Sequence, residues 1–166
     1  MVEAVEAAIL SSAIIPWREA SGDPGSQLVD KASALTRLLR DLVRCDAIIL
    51  AAWDPTSASH RHQTLASDGY TDRVQSHIND EYVKSNRAFA VAHRDDPRSL
   101  RWRDYERDWD FWFPDTVTAQ EYLIPAGYNE GSTMCLRLPD GRYVGAFHMS
   151  WASSVAATES SPADSH

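Results

Sequence analysis

Apolar positions along this 166-residue chain recur with different periods, and each period predicts an element. From Ser26 to Arg44 they fall three and four apart, at Leu28, Ala32, Leu35, Leu39, Leu42 and Val43, which predicts an amphipathic helix. Ala47 to Trp53 is a continuous apolar run of strand length closed by Asp54-Pro55, and His60 to Ala66 is expected to return beside it as a buried hairpin. Asp72 to Arg94 reads as helix in two pieces, with Val74, Ile78 and Tyr82 or Val83 on one side. Asp95 to Thr118 carries no assignable period, and Glu121 to Ala126 is expected to be a short strand. At the front, residues 2 to 14 align Val2, Val5, Ile9 and Ala13 as a short helix that Pro16 stops.

The last patterned stretch specifies most. Gly131 to Leu138 and Tyr143 to Ser150 flank an Asp-Gly pair, a strong hairpin signal. With Asp140 and Gly141 as a two-residue loop, Leu138 faces Tyr143, Leu136 faces Gly145 and Met134 faces Phe147 on one side of the sheet. Arg137 with Val144, Cys135 with Ala146 and Thr133 with His148 share the other. The first face is bulky and expected to pack on a helix layer; the second is smaller, more polar and suited to a pocket floor. The element order predicts an α+β fold, an antiparallel sheet with helices packed on it. The expected organisation is an N-terminal helix and linker over 1–25, one domain over 26–151, and a disordered Ser- and Ala-rich tail over 152–166.

Charge and composition narrow the function. Sixteen Lys and Arg against 24 Asp and Glu give a net charge of -8, which repels phosphate backbones, so no direct nucleic-acid binding is expected. The longest uncharged stretches, Ala7 to Trp17 and Tyr143 to Thr158, fall short of the roughly 20 residues of a spanning helix, so no membrane segment is expected. The acidic start is unlike a secretory signal, which predicts a cytoplasmic protein. More apolar side chains line the first long helix (Leu28, Leu35, Leu39, Leu42) than one sheet face can cover, and the expected remedy is a homodimer through residues 2 to 14 and 26 to 44.

Four short segments carry a resemblance: Leu65-Ala66-Ser67-Asp68-Gly69-Tyr70, Trp102-Arg103-Asp104-Tyr105, Pro125 to Gly131, and Asp140-Gly141-Arg142-Tyr143-Val144-Gly145. Over about residues 26 to 150 the chain resembles the GAF-like sensor domain of actinobacterial LuxR-type transcriptional regulators. The resemblance implies a non-catalytic module that senses a small molecule or signal and tends to dimerise. No helix-turn-helix follows Trp151 in these residues, so only the sensor half carries over. Small GAF-type proteins that reduce methionine sulfoxide through cysteine chemistry are the enzymatic alternative, and a dimerisation module without ligand is the other.

The candidate ligand-binding residues are Trp102, Tyr105, Trp109, Thr133, Cys135 and His148. Trp102, Tyr105, Trp109 and Trp112 fall at i, i+3, i+7 and i+10, a single aromatic stripe on a helix, as suits packing or a cap over a ligand. Arg101, Asp104, Arg107, Asp108 and Asp110 mark a solvated outer side of that segment. His60 and His62 share a strand face, but without further ligands they read as a solvated strand end, and Asp80-Glu81 and Asp95-Asp96 as solvated faces. Haem ligation through His148 or His93 has no supporting motif. A reductase would need a thiolate and a resolving partner; Cys45 stands at a helix C-terminal end, which disfavours a thiolate, and Cys135 is mid-strand. The residues name no metal site and leave the cofactor and the ligand open.

Overall fold

A computed structural model describes residues 24–57 and 60–153. The expected N-terminal helix and most of the expected tail lie outside the described residues. Helix α1 (Pro24–Val43) opens with proline at its first position, where the missing N–H costs nothing, and buries Ala32, Thr36 and Leu39 along one face. Strands β1 (Ala47–Trp53) and β2 (His62–Asp68) form the first hairpin. The chain then builds a run of short helical pieces: α2 (Asp72–His77), a π-helical turn (Ile78–Tyr82), α3 (Val83–Ser85) and α4 (Arg87–Arg94). A two-residue strand β3 (Leu100–Arg101) leads into α5 (Trp102–Trp109). A 3-10 turn (Phe113–Asp115) and a second π-helical turn (Thr118–Leu123) precede the long hairpin of β4 (Glu130–Arg137) and β5 (Tyr143–Trp151).

The five strands make one antiparallel sheet in the order β2-β1-β5-β4-β3. Strand β1 lies between two neighbours and is buried on both faces from Ala47 to Ala51, which is why its sequence is apolar without alternation. Ile48, Leu50 and Phe147 pack under α1 with Leu39 and Trp151. Ile49, Tyr82, Phe89, Trp102, Tyr105 and Phe113 fill the opposite core, which is larger and more aromatic. The sheet is therefore sandwiched between one long helix and a layer of short, irregular pieces.

The 72–94 segment, expected as helix in two pieces, is a run of four helical pieces whose one non-helical residue is Asn86. Asn86 adopts an extended conformation, and its Oδ1 accepts the Ala88 N–H at 2.8 Å, capping α4. Upstream, the wider π turn brings both Tyr82 and Val83 inward, where an ordinary helix would have buried one.

Two expectations fail. Glu121 to Ala126 is no strand: Ile124 N–H bonds to Ala119 O five residues back, and the apolar cluster turns only Leu123 inward. The hairpin loop is also one residue longer than the Asp-Gly pair implied. Leu138 N–H donates to Arg142 O at 2.9 Å and Gly141, at φ 84°, closes a three-residue loop. The register derived from the sequence holds from Glu130↔Trp151 through Leu136↔Gly145, then shifts so that Arg137 pairs with Tyr143 and Val144 is left as a bulge. Tyr143 therefore belongs to the aromatic core and not, as the uniform register required, to the α1 side.

At Gly145 a side chain has no room: a methyl carbon would lie 2.2 Å from Ala51 O on the neighbouring central strand. At Gly141 nothing lies within 4 Å of such a carbon. Gly145→Ala is expected to lower the unfolding free energy in urea by about 2–3 kcal/mol, as overpacking against backbone does. Gly141→Ala should cost only about 1 kcal/mol, for its left-handed conformation alone.

Candidate ligand site

Between the sheet and the irregular layer lies a cavity of about 20 Å3, room for a single water molecule. Its floor is Gly131 and Thr133 of β4 with His148 and Ser150 of β5; its roof is Trp102 and Tyr105 of α5 with Phe113. Trp102 and Phe113 stack at 4.7 Å between centroids and 21° between planes, and Tyr105 lies 6.0 Å from Phe113 at 26°. Tyr70 and Tyr82 close the sides. Three of the four motif segments thus meet here, through Tyr70, Trp102, Tyr105 and Gly131.

The roof is tied down by Glu130. One oxygen of its buried carboxylate accepts the backbone N–H of Trp102 at 3.0 Å and of Gly131 at 2.8 Å, while burial raises the carboxyl pKa above its ordinary value. Beneath it runs a chain of neutral polar groups. Tyr82 Oη lies 2.9 Å from Thr133 Oγ1, which lies 3.1 Å from His148 Nδ1. Tyr70 Oη and Ser150 Oγ pair separately at 2.6 Å. His148 Nε2 and Tyr105 Oη are buried and have no partner at hydrogen-bond distance, the Tyr82 hydroxyl being the polar group that Tyr105 Oη faces. Burial, with a smaller push from His62, lowers the His148 pKa to about 3, and burial raises the Tyr82 and Tyr105 hydroxyls above the ordinary range.

Of the six residues singled out from the sequence, Trp102, Tyr105, Thr133 and His148 line this cavity. Trp109 packs against the aromatic core without reaching the cavity. Cys135 shares the floor's sheet face but lies to one side of the cavity, next to Tyr143. Trp112 leaves the expected stripe because α5 ends at Trp109 with Asp110 in a left-handed conformation, and it is 47% exposed. Tyr82 and Phe113 went unrecognised; the first sat on a helix face like any core residue, and the second in a stretch without period.

No protein-family model and no curated protein matches the sequence. Solved structures do resemble the fold. The phycocyanobilin-bound GAF domain from a cyanobacterial phytochrome matches 95% of this chain and 85% of its own, with TM-score 0.52 and 15% identity. The GAF domain from Acinetobacter phosphoenolpyruvate-protein phosphotransferase matches 79% of this chain and 74% of its own, with TM-score 0.50 and 13% identity. The fold is GAF-like. SdiA, solved in complex with octanoyl-rac-glycerol, matches 92% of this chain over 55% of its own, with TM-score 0.51 and 13% identity.

Elsewhere in this GAF-like domain, two local readings need correction. Asp96 is no solvated carboxylate: it is 7% exposed, and Arg98 grips it at 2.9 and 3.1 Å through Nε. Arg98 also joins Asp108, and Arg107 bridges Asp104 and Asp108, so the outer side of α5 is a charged network as expected. The His60-His62 strand end is not solvated either. His60 centres a ring cluster with His62 at 5.4 Å, His93 at 5.1 Å and Tyr143 at 5.6 Å, and Tyr143 Oη bonds His62 Nε2 at 2.7 Å. Among the described residues, no three His, Cys, Asp or Glu are arranged to hold a metal ion. Cys45 lies in the core under α1 and Cys135 packs against the core on the opposite face of the sheet, and burial pushes their thiols up to about 12 and about 11.

The histidines make stability depend on pH. Burial, then His60 and His93, lowers the His62 pKa to about 4, and His148 falls to about 3. A base with a depressed folded pKa contributes stability that is complete above its unfolded value near 6.5 and is lost as pH falls toward the folded value. Unfolding free energy is expected to fall from about pH 6.5 to pH 4, with His62 alone accounting for roughly 3 kcal/mol. Glu130 acts in the opposite sense. Urea titrations across this window should show a shallower slope for His62→Gln; an equal slope would remove His62 as a contributor.

Proposed function

We propose that this domain is a non-catalytic cytoplasmic sensor whose small-molecule ligand enters between the Trp102, Tyr105 and Phe113 roof and the Thr133 and His148 floor. The observation that carries this reading is the pair of buried, unpartnered polar atoms, His148 Nε2 and Tyr105 Oη, in the wall of an aromatic cavity. Buried polar groups are nearly always hydrogen-bonded, so two orphans in one wall favour a bound partner. The GAF-like fold and the motif segments support the sensor half of a LuxR-type regulator as its setting. A cysteine-dependent reductase is disfavoured, since Cys45 and Cys135 pack on opposite faces of the sheet.

A thermal-shift screen of uncharged and charged metabolites tests the site. A ligand at about 100 times its Kd should raise Tm by about 5 °C. Thr133→Phe, whose side chain projects from the floor into the cavity, should abolish that rise while circular dichroism stays that of a folded protein. A screen in which nothing raises Tm would favour the ligand-free dimerisation module.

A homodimer through α1 has its own support. Leu28, Leu38 and Leu42 are 53%, 63% and 52% exposed, and with the half-buried Leu35 and with Lys31 they fall at alternating spacings of three and four. That spacing makes a straight seam that a second copy matches by two-fold symmetry. Sedimentation at micromolar concentration should give twice the 18.6 kDa chain mass, and Leu38→Asp should return it to monomer. A wild-type monomer at high concentration would refute the dimer.

A further inference from the structure

The wall of the cavity specifies a class of ligand, and this step rests on the reading of the cavity as a ligand site. We infer that the site takes an uncharged, planar molecule carrying both a hydrogen-bond donor and an acceptor, of the lactam or cyclic amide kind. Three independent features of the wall lead there.

The first is charge. No Asp, Glu, Lys or Arg lines the cavity, and its titratable members are tyrosines and His148. An ion moved into this wall would lose its hydration and meet no opposite charge, a penalty of many kcal/mol that ordinary contacts do not offset. Glu130, the nearest carboxylate in the chain to Gly131, is already engaged by two backbone N–H groups.

The second is shape. Trp102, Phe113 and Tyr105 present nearly parallel ring faces, 21° and 26° apart. Drawing Trp102 and Phe113 apart from 4.7 Å to about 7 Å makes a slot for one flat ring with van der Waals contact on both sides. A puckered ring of the same size does not fill that slot. Beneath the indole, Gly131 leaves only enough room for hydrogen: a methyl there would lie 2.6 Å from Trp102 Nε1.

The third is hydrogen bonding. Thr133 has one hydroxyl proton and two partners, so the chain through it runs one of two ways. If Tyr82 donates to Thr133 and Thr133 to His148 Nδ1, the proton of His148 sits on Nε2, which becomes an unused donor. If His148 Nδ1–H donates to Thr133 and Thr133 to Tyr82, Nε2 is an unused acceptor. Tyr105 Oη faces the Tyr82 hydroxyl, so in the first order its proton turns to Tyr82 and a lone pair is left to accept, and in the second Tyr82 donates to it and its proton is left to donate. A carbonyl beside an N–H meets His148 in either order and leaves the complementary group for Tyr105, whereas a pure hydrocarbon would leave both atoms unpaired.

The test is a backbone-amide NMR titration of the full chain with three probes: 2-quinolinone (planar, neutral, lactam), quinoline-2-carboxylate (planar, charged) and ε-caprolactam (neutral lactam, puckered). Benzene serves as a reader of the cavity that is blind to polarity. We expect 2-quinolinone to shift the amides of Ser132, Thr133 and His148 and to bind at least about tenfold more tightly than the carboxylate or caprolactam, with Tyr105→Phe and His148→Phe each weakening it by about tenfold. Equal binding of the carboxylate at these amides would overturn neutrality, equal binding of caprolactam would overturn planarity, and indifference to both substitutions would overturn the hydrogen-bond assignment. In each of those cases, and if only benzene moves the amides, the ligand site stands without this ligand class. If benzene and all three probes leave the amides unmoved, the ligand site itself falls.

Discussion

Strand β5 has to serve two cores at once, and the rest of the domain is arranged around that. Its alternate residues Phe147 and Trp151 complete the aliphatic core under α1, while Ala146, His148 and Ser150 face the other way. Strands β1 and β4 flank it, and their backbones leave so little room that position 145 admits only glycine beside Ala51. Once β5 is placed, one face of the sheet is a surface that a single amphipathic helix can cover. The other carries His148, Thr133 and Ser150, which no aliphatic helix face could bury without leaving their polar atoms unpaired.

The irregular layer is the answer to that polar face. A helix of regular period offers one stripe, whereas the succession of α2, two π-helical turns, a 3-10 turn and α5 can aim a tyrosine, an indole or a phenyl ring from several directions. Tyr82 and Tyr70 supply hydroxyls to Thr133 and Ser150, and Trp102, Tyr105 and Phe113 supply apolar cover. Besides these, Glu130 holds the Trp102 backbone and Asn79 Nδ2 donates to Thr64 Oγ1 of β2 at 2.7 Å, while within the layer His77 Nε2 and Asn86 meet Thr118 Oγ1 at 2.9 and 2.8 Å.

The bulge at Val144 shows how far a local feature reaches. One extra residue in β5 turns Tyr143 from the α1 side into the aromatic core, where its hydroxyl meets His62 and its ring meets His93 at 4.5 Å. Tyr143 thereby closes over His60, His62 and His93, which pack on Phe89 as well. With it they join a continuous aromatic surface running from the hairpin loop to His148.

Period and turn chemistry determined much by themselves. The helix over Ser26 to Arg44, the strand over Ala47 to Trp53, the register from Gly131 to Leu136 and the placement of Thr133 and His148 on one face followed from spacing, because side-chain direction in helices and strands is fixed by local backbone geometry. The same logic marked Trp102 and Tyr105 as neighbours on one helix face. Tertiary structure alone decided what those faces meet. Nothing local distinguishes Tyr82 on a helix from a plain core residue, announces that Glu121 to Ala126 coils in place of pairing, or places Cys135 beside the cavity and not in its wall. The three-residue loop was hidden for the same reason: Asp-Gly suits both lengths, and the longer loop goes with the bulge at Val144 that turns Tyr143 into the aromatic core. Contacts between residues distant in the chain set which polar atoms find partners, and here they left His148 and Tyr105 each with one atom unpaired.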